Sequence, residues 1–247
     1  MVNRGVISCF LACFLLIASC SSDKEESFSD ATLATALEGR ETVLSNVIAC
    51  AASNEDPSVV SVFLYPRENV SDINFYETES ADVDQNDFSN YTKGSAGLID
   101  VFNGYLLKYE ISPAQEKWVI VSFEEGGKVH LSNPIRLKQN VKPTEYLPQN
   151  VTVDDMGTMP IFSWLDGTFD DSVIYFQVVS DVNDDLLSGT YTLDPMFQYY
   201  ELGNVVLNIT REIPPSLEIG GTYNFSLLSV SEDNWVNLFA EVNFTLK

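Results

Sequence analysis

From Ser58 onward the apolar residues of this chain fall on alternate positions, in short runs broken by turn-forming residues. A period of two commits a chain to sheets that bury one face and wet the other. Val60, Val62 and Leu64, then Ile73 and Phe75, open the series, and further runs lie at 98–101, 105–111, 118–123, 129–131 and 135–137. Glu124-Glu125-Gly126-Gly127 predicts a hairpin turn, because paired glycines adopt positive φ at little cost. The polar stretch from Glu77 to Gly97 is long for a compact domain, and such loops tend to be functional or mobile. A stretch near 139–149 holds Pro143 and Pro148 without periodicity, which predicts a stiffened link. Beyond it, runs at 161–164, 173–179, 191–193, 205–209, 223–230 and 238–246 are spaced as in an all-β sandwich. The expectation is an all-β chain with two β-sandwiches in tandem, over 31–140 and 150–247, joined by a linker at 141–149.

One stretch breaks the alternation. Val43, Leu44, Val47, Ile48 and Ala51 recur at helical spacing between residues 31 and 53, and Asn54 and Pro57 end the pattern. This predicts one amphipathic helix whose stripe covers the first sandwich, with Cys50 as a small buried hydrophobe near its edge.

The chain has four cysteines, at positions 9, 13, 20 and 50. The first three lie in an N-terminal segment that reads as a secretory signal, with Arg4 ahead of an apolar run from Val6 to Ile17 that is too short to span a bilayer. The ending Ile17-Ala18-Ser19-Cys20 resembles the lipobox of bacterial lipoproteins. The resemblance implies a signal peptide at 1–19, a multiply acylated Cys20 as the mature N-terminus, and retention in the membrane through that lipid. Residues 20–30 then form an acidic tether. Its Asp23-Lys24-Glu25-Glu26 is similar to signals that send some lipoproteins to the outer face of the outer membrane, and the same run also reads as a soluble linker. Surface-exposed and periplasm-facing placements at the outer membrane both stay open. Only Cys50 remains for pairing, so each domain must stand on its apolar core without a disulfide.

A second resemblance lies in the C-terminal hundred residues. Leu217-Glu218-Ile219-Gly220-Gly221-Thr222-Tyr223 is similar to the tyrosine corner of fibronectin type III domains, and Phe162-Ser163-Trp164 to their strand with a core tryptophan. Ile219 stands where that family usually has proline. The likeness implies a sandwich used for spacing, adhesion or recognition, and it identifies no ligand.

Charge narrows the function further. Lys and Arg number 13 against 36 Asp and Glu, and loss of Arg4 with the signal leaves 12 against 36, a net of −24. Such a surface repels phosphate backbones, which excludes nucleic acid as a partner. Asp82-Val83-Asp84-Gln85-Asn86-Asp87 and Asp181-Val182-Asn183-Asp184-Asp185 both begin like calcium loops, then lack the glycine and glutamate that complete one. Solvated turns account for both; if calcium binds, Asp181, Asn183 and Asp185 are the expected ligands. His130 stands alone in a strand and reads as structural. Alternation along 236–246 points Trp235 and Phe239 away from the core, where they would stack on a sugar or anchor a protein. A strand bulge, or cover from the other domain, would instead bury Trp235. Together these features describe a membrane-anchored, non-catalytic binding or scaffolding lipoprotein of the cell envelope, with a protein or glycan partner. The alternatives are a polysaccharide-capture lipoprotein using Trp235 and, less in keeping with the residues, an acid/base hydrolase using paired carboxylates.

Overall fold

A computed structural model of the chain describes residues 32–247. The signal segment, Cys20 and the tether fall outside the described residues. The first half holds ten strands: β1 (Thr42–Val47), β2 (Ala49–Ser53), β3 (Val60–Leu64), β4 (Ser71–Glu77), β5 (Thr92–Lys93), β6 (Leu98–Val101), β7 (Leu106–Ile111), β8 (Trp118–Glu125), β9 (Lys128–Ser132) and β10 (Ile135–Arg136). They form a six-stranded sheet, β1-β9-β8-β4-β5 with β10 also on β8, and a four-stranded sheet, β2-β3-β7-β6. Val60, Val62 and Leu64 meet Val119, Val121 and Phe123 between the sheets, as the alternation requires. The predicted β8–β9 turn is present, with Gly126 and Gly127 at φ of 59° and 79°.

The second half supplies β11 (Glu145–Tyr146), β12 (Val151–Asp154), β13 (Ile161–Trp164), β14 (Ser172–Ser180), β15 (Leu186–Thr192), β16 (Met196–Gln198), β17 (Val205–Asn208), β18 (Thr222–Ser231) and β19 (Val236–Thr245). A six-stranded sheet, β11-β19-β18-β14-β15-β17, faces a three-stranded one, β12-β13-β16. Phe162 stacks on Phe225 with ring centroids 4.0 Å apart, and Trp164 meets Tyr175 edge to face at 5.3 Å. The expected corner is there: the Tyr223 hydroxyl accepts the Glu218 N–H at 3.0 Å, and Leu217 is buried in this core. A Cβ on Gly221 would lie 2.9 Å from the Glu218 carbonyl oxygen, so the corner excludes a side chain at that position. The chain is therefore two β-sandwiches in tandem, the second with a tyrosine corner like that of fibronectin type III domains.

Both halves open in the same way. A first strand lies parallel to the second strand of a late hairpin in its unit (β1 on β9, β11 on β19), and the chain then crosses to pair antiparallel in the opposite sheet (β2 on β3, β12 on β13).

The predicted helix over 31–53 is corrected. Only Leu33–Leu37 is helical, α1, with the Thr32 hydroxyl accepting the Thr35 N–H; Thr42–Val47 and Ala49–Ser53 are strands. Ser45 at φ 54° and a register shift between Val43 and Val47 break the strand period, which leaves apolar residues at spacings that mimic a helix. Helix propensity in Ala49-Cys50-Ala51-Ala52 yields to pairing along all of β3. Helix α1 seals the outer face of the first sheet, where Leu33 packs with Tyr76, Tyr91, Ile120, Val129 and Leu131. The 77–97 segment takes part in this cover. Tyr91 is buried with its hydroxyl on Gln85 O, and the Asp87 carboxylate accepts the N–H and hydroxyl of Ser89 to start a short turn of 3₁₀ helix.

Candidate functional site

Strands β14 and β18 are buried on both faces. Tyr175, Val179, Phe225 and Leu227 face the core of the second sandwich, while Phe176, Val178, Leu228 and Val230 face the other way. Strand β3 behaves similarly: Val62 and Leu64 point into the first core, and Phe63 packs outward, as does Tyr65 just beyond it. The outer face of the four-stranded sheet thus meets the outer face of the second sandwich's larger sheet in a third apolar layer.

Trp235 closes one end of this seam. It sits at the tip of the β18–β19 hairpin, is 0% exposed, and belongs to the core of the first sandwich with Val47, Ala51 and Val60. Its Nε1 donates to Lys142 O at 2.8 Å. The Ala51 N–H donates to Asn234 O and the Arg136 N–H to Asp233 O, both at 3.0 Å, so the hairpin tip is bonded to the neighbouring domain. Thr144 binds the link to both sides, exchanging bonds with Ser53 and donating its hydroxyl to Val236 O. The expectation of an exposed Trp235 is corrected, and cover from the other domain is the reason. The parity argument also breaks nearby: Asn237 is a bulge residue, since Ser229 pairs with Leu238 and Val230 with Val236. This turns Val236 out toward the seam while Leu238 stays in the second core.

The other end is held by polar contacts. The Tyr105 hydroxyl donates to Ile209 O at 2.8 Å and accepts the Arg211 N–H at 2.6 Å. The Arg211 guanidinium lies 4.3 Å from the Tyr105 ring centroid and donates to Pro66 O. Asn103 donates to Asn183 O at 3.0 Å and to Asp185 Oδ1 at 2.8 Å. Asp181, Asn183 and Asp185, the ligands expected if calcium binds, lie in this loop. Asp181 Oδ1 accepts the backbone N–H groups of Asn183 and Asp185, and Oδ2 accepts the Asn183 side-chain amide. Partial burial works against the Asp181 charge, but the Asp185 and Asn183 donors hold its carboxyl below the usual range. The loop spends its oxygens on its own turn and on docking to the first sandwich. Among the described residues no group of three or more His, Cys, Asp or Glu is placed to hold a metal ion.

Between these ends lies a cavity of about 630 Å³, the size of sites that hold small organic molecules. Ile48, Cys50, Phe63 and Leu106 line it from the first sandwich, and Phe176, Tyr191, Leu228 and Phe239 from the second. Phe176 and Tyr191 stack at 4.4 Å. Of the two aromatics singled out in the hairpin, Phe239 therefore reaches a pocket and Trp235 does not. Cys50 also lines it, and apolar burial pushes its thiol up to about 12, far from a nucleophile's range. Tyr191 is raised well above the ordinary phenol value, first by burial and then by Cys50 beside it. Arg67 lines the cavity too, but its charge is taken: Nε and Nη2 bind Glu125 at 2.7–3.1 Å, and Nη1 donates to Asn46 O. That Arg67 contact holds the Glu125 carboxyl below its usual range. His130 shares the cluster, with Nδ1 2.6 Å from Asn46 Oδ1, and is structural as expected.

The seam is legible in the sequence only after the fact. Val173-Ile174-Tyr175-Phe176 and Val178-Val179 form a near-continuous apolar run, the mark of a strand covered on both sides.

No known family profile and no curated protein matches the sequence. Similar solved structures include the chicken interferon gamma receptor alpha chain, at 12% identity over 82% of this chain and 98% of that one, with a TM-score of 0.30. The FN1–FN3 domains of chicken CNTN1 align at 12% identity over 84% of this chain and 68% of theirs, TM-score 0.27. The fibronectin(III)-like modules of Clostridium thermocellum CbhA align at 12% identity over 84% and 90%, TM-score 0.22. Likeness this distant carries nothing about ligand or activity.

Proposed function

We propose that this chain is a non-catalytic binding or scaffolding lipoprotein of the bacterial cell envelope, held at the outer membrane by acyl chains on Cys20. The observation that most supports this reading is the joint between the sandwiches. Trp235 is buried across it and a full sheet-to-sheet layer backs it, so the pair presents a partner or ligand with surfaces in fixed relative orientation. Three groups that a hydrolase could recruit are engaged elsewhere: the Cys50 thiol is held protonated, Glu125 is bound to Arg67, and the Asp171 carboxylate is bound to Lys142 and Asn237. A polysaccharide-capture role loses its expected platform, because the Trp235 ring is inside the protein. The acidic surface repels phosphate backbones and anionic lipid, so the membrane contact in this proposal is the lipid alone.

Metabolic labelling with a clickable palmitate analogue tests the anchor. Wild-type chain should take the label and fractionate with membranes, and Cys20→Ser should lose both. Unlabelled wild type, or unchanged fractionation of Cys20→Ser, would remove the envelope placement. Purification from detergent-solubilised membranes then separates the two roles, since a scaffold brings a stoichiometric protein with it.

A further inference from the structure

The cavity between the sandwiches is an apolar slot in which Tyr191 keeps an unused hydroxyl. Its walls are two sheets, with Phe63 and Leu106 on one side and Phe176 and Leu228 on the other. Tyr191 stacks on Phe176 with the ring planes 20° apart, so the two rings make one flat face. The protein covers Tyr191 only in part, and the side chain borders the cavity. Burial and the nearby Cys50 are the causes of its raised pKa, and among the described residues no hydrogen bond contributes. A phenol O–H that has lost water without gaining an acceptor costs free energy, and a ligand acceptor placed beside it recovers that cost.

No charge inside the slot is free to meet a ligand. Arg67, the one cation on the lining, is bound to Glu125 and Asn46. The lining carboxylates of Asp184 and Glu241 are exposed and keep their water. A charged ligand drawn between the sheets would lose its own hydration with nothing to replace it. Leu207 of the edge strand β17 lines the slot while 39% exposed, so the slot opens there.

We propose that this slot binds an uncharged, flat, largely apolar molecule, with its body against the Phe176–Tyr191 face and a single hydrogen-bond acceptor at the Tyr191 hydroxyl. The inference rests on the seam alone and does not depend on the lipid anchor.

The test uses the full-length chain carrying Cys20→Ser, so that no detergent competes, and three probes of matched shape. 2-Acetylnaphthalene carries a neutral acceptor, 2-isopropenylnaphthalene carries none, and 2-naphthoate carries a charge. Each is titrated by displacement of N-phenyl-1-naphthylamine. Both neutral probes should displace it, and 2-naphthoate should bind more weakly than the ketone. Tyr191→Phe should weaken the ketone by about threefold to tenfold and leave the hydrocarbon unweakened. Leu207→Trp, a change at an exposed rim position, should abolish binding of both with the thermal transition retained. Cys50→Phe fills the slot from the opposite wall and should act like Leu207→Trp. Failure of the neutral probes to bind, or 2-naphthoate at or above the ketone's affinity, would overturn the proposal. So would a Tyr191→Phe effect no larger on the ketone than on the hydrocarbon, or binding unaffected by both filling variants. The last result would mark adsorption elsewhere on the chain.

Discussion

Trp235 contributes its indole to a core made otherwise by residues between 47 and 137, which lie 98 or more positions earlier in the chain. Truncating a buried tryptophan removes its contacts and leaves a cavity, at a cost of about 3–5 kcal/mol. Trp235→Ala should lose that much, and the loss should appear in the first sandwich although the substitution lies in the second. Guanidinium unfolding followed through Trp118 and Trp164, which report one domain each, checks this. The variant should separate the two signals, and coincident curves shifted equally would argue that the ring serves only its own hairpin. Position 235 was the hardest to judge from sequence. Its parity in the strand was readable, but a bulge at Asn237 and a second domain across the hairpin tip decide where the ring goes, and neither leaves a local mark.

Strand β2 shows the same conflict between local and distant preference. Ala49-Cys50-Ala51-Ala52 is small and helix-favouring, yet it is a strand because β3 pairs with every residue of it and the Trp235 hairpin presses on its other side. Ala51 is fully buried against that hairpin, so the small side chains match the space left by a large ring. Ala51→Leu should destabilise the protein by about 1–3 kcal/mol through overpacking. Because the two side chains share one space, Ala51→Leu combined with Trp235→Ala should cost less than the sum of the single changes. A thermal-denaturation double-mutant cycle measures that coupling, and strict additivity would contradict the contact. Other elements were open to sequence reading. The run 161–164 matches its strand residue for residue, because it buries Phe162 and Trp164 on one face and exposes Ser163 on the other; 98–101 matches its strand too, although it stays largely exposed at the sheet edge.

The two sandwiches and their link also respond together to acid. Lys142 of the link pairs with Asp171 of the second sandwich, and its bond to that carboxylate is the leading cause of a lowered pKa. Glu125 is lowered in the same way by Arg67. A carboxyl whose folded pKa lies below the unfolded one, about 3.9 for Asp and 4.3 for Glu, adds stability that is present above those values. That stability is lost as pH falls through the folded pKa. Melting temperature should therefore decline below about pH 4. Lys142→Met should shallow the decline, since Asp171 then titrates nearer its unfolded value. An unchanged acid limb in that variant would show that the pair contributes nothing to it. Asp184 has the opposite sign: its raised pKa means that protonation relieves the folded state, so it works against the acid loss.

Alternation, turn glycines and the Leu217–Tyr223 corner are local patterns, and they were sufficient to specify two tandem sandwiches, several of the longer strands after Val60 and the core of the second, but not β1, β2 or the short strands. Such patterns record which face of an element is buried. They do not record what buries it. The seam, the cavity within it and the placement of Trp235, Phe239 and the Asp181 loop depend on which outer face of one sandwich meets which face of the other. That choice arises from packing between residues far apart in the chain, where shape and hydrogen bonding across the interface outweigh every near-neighbour preference.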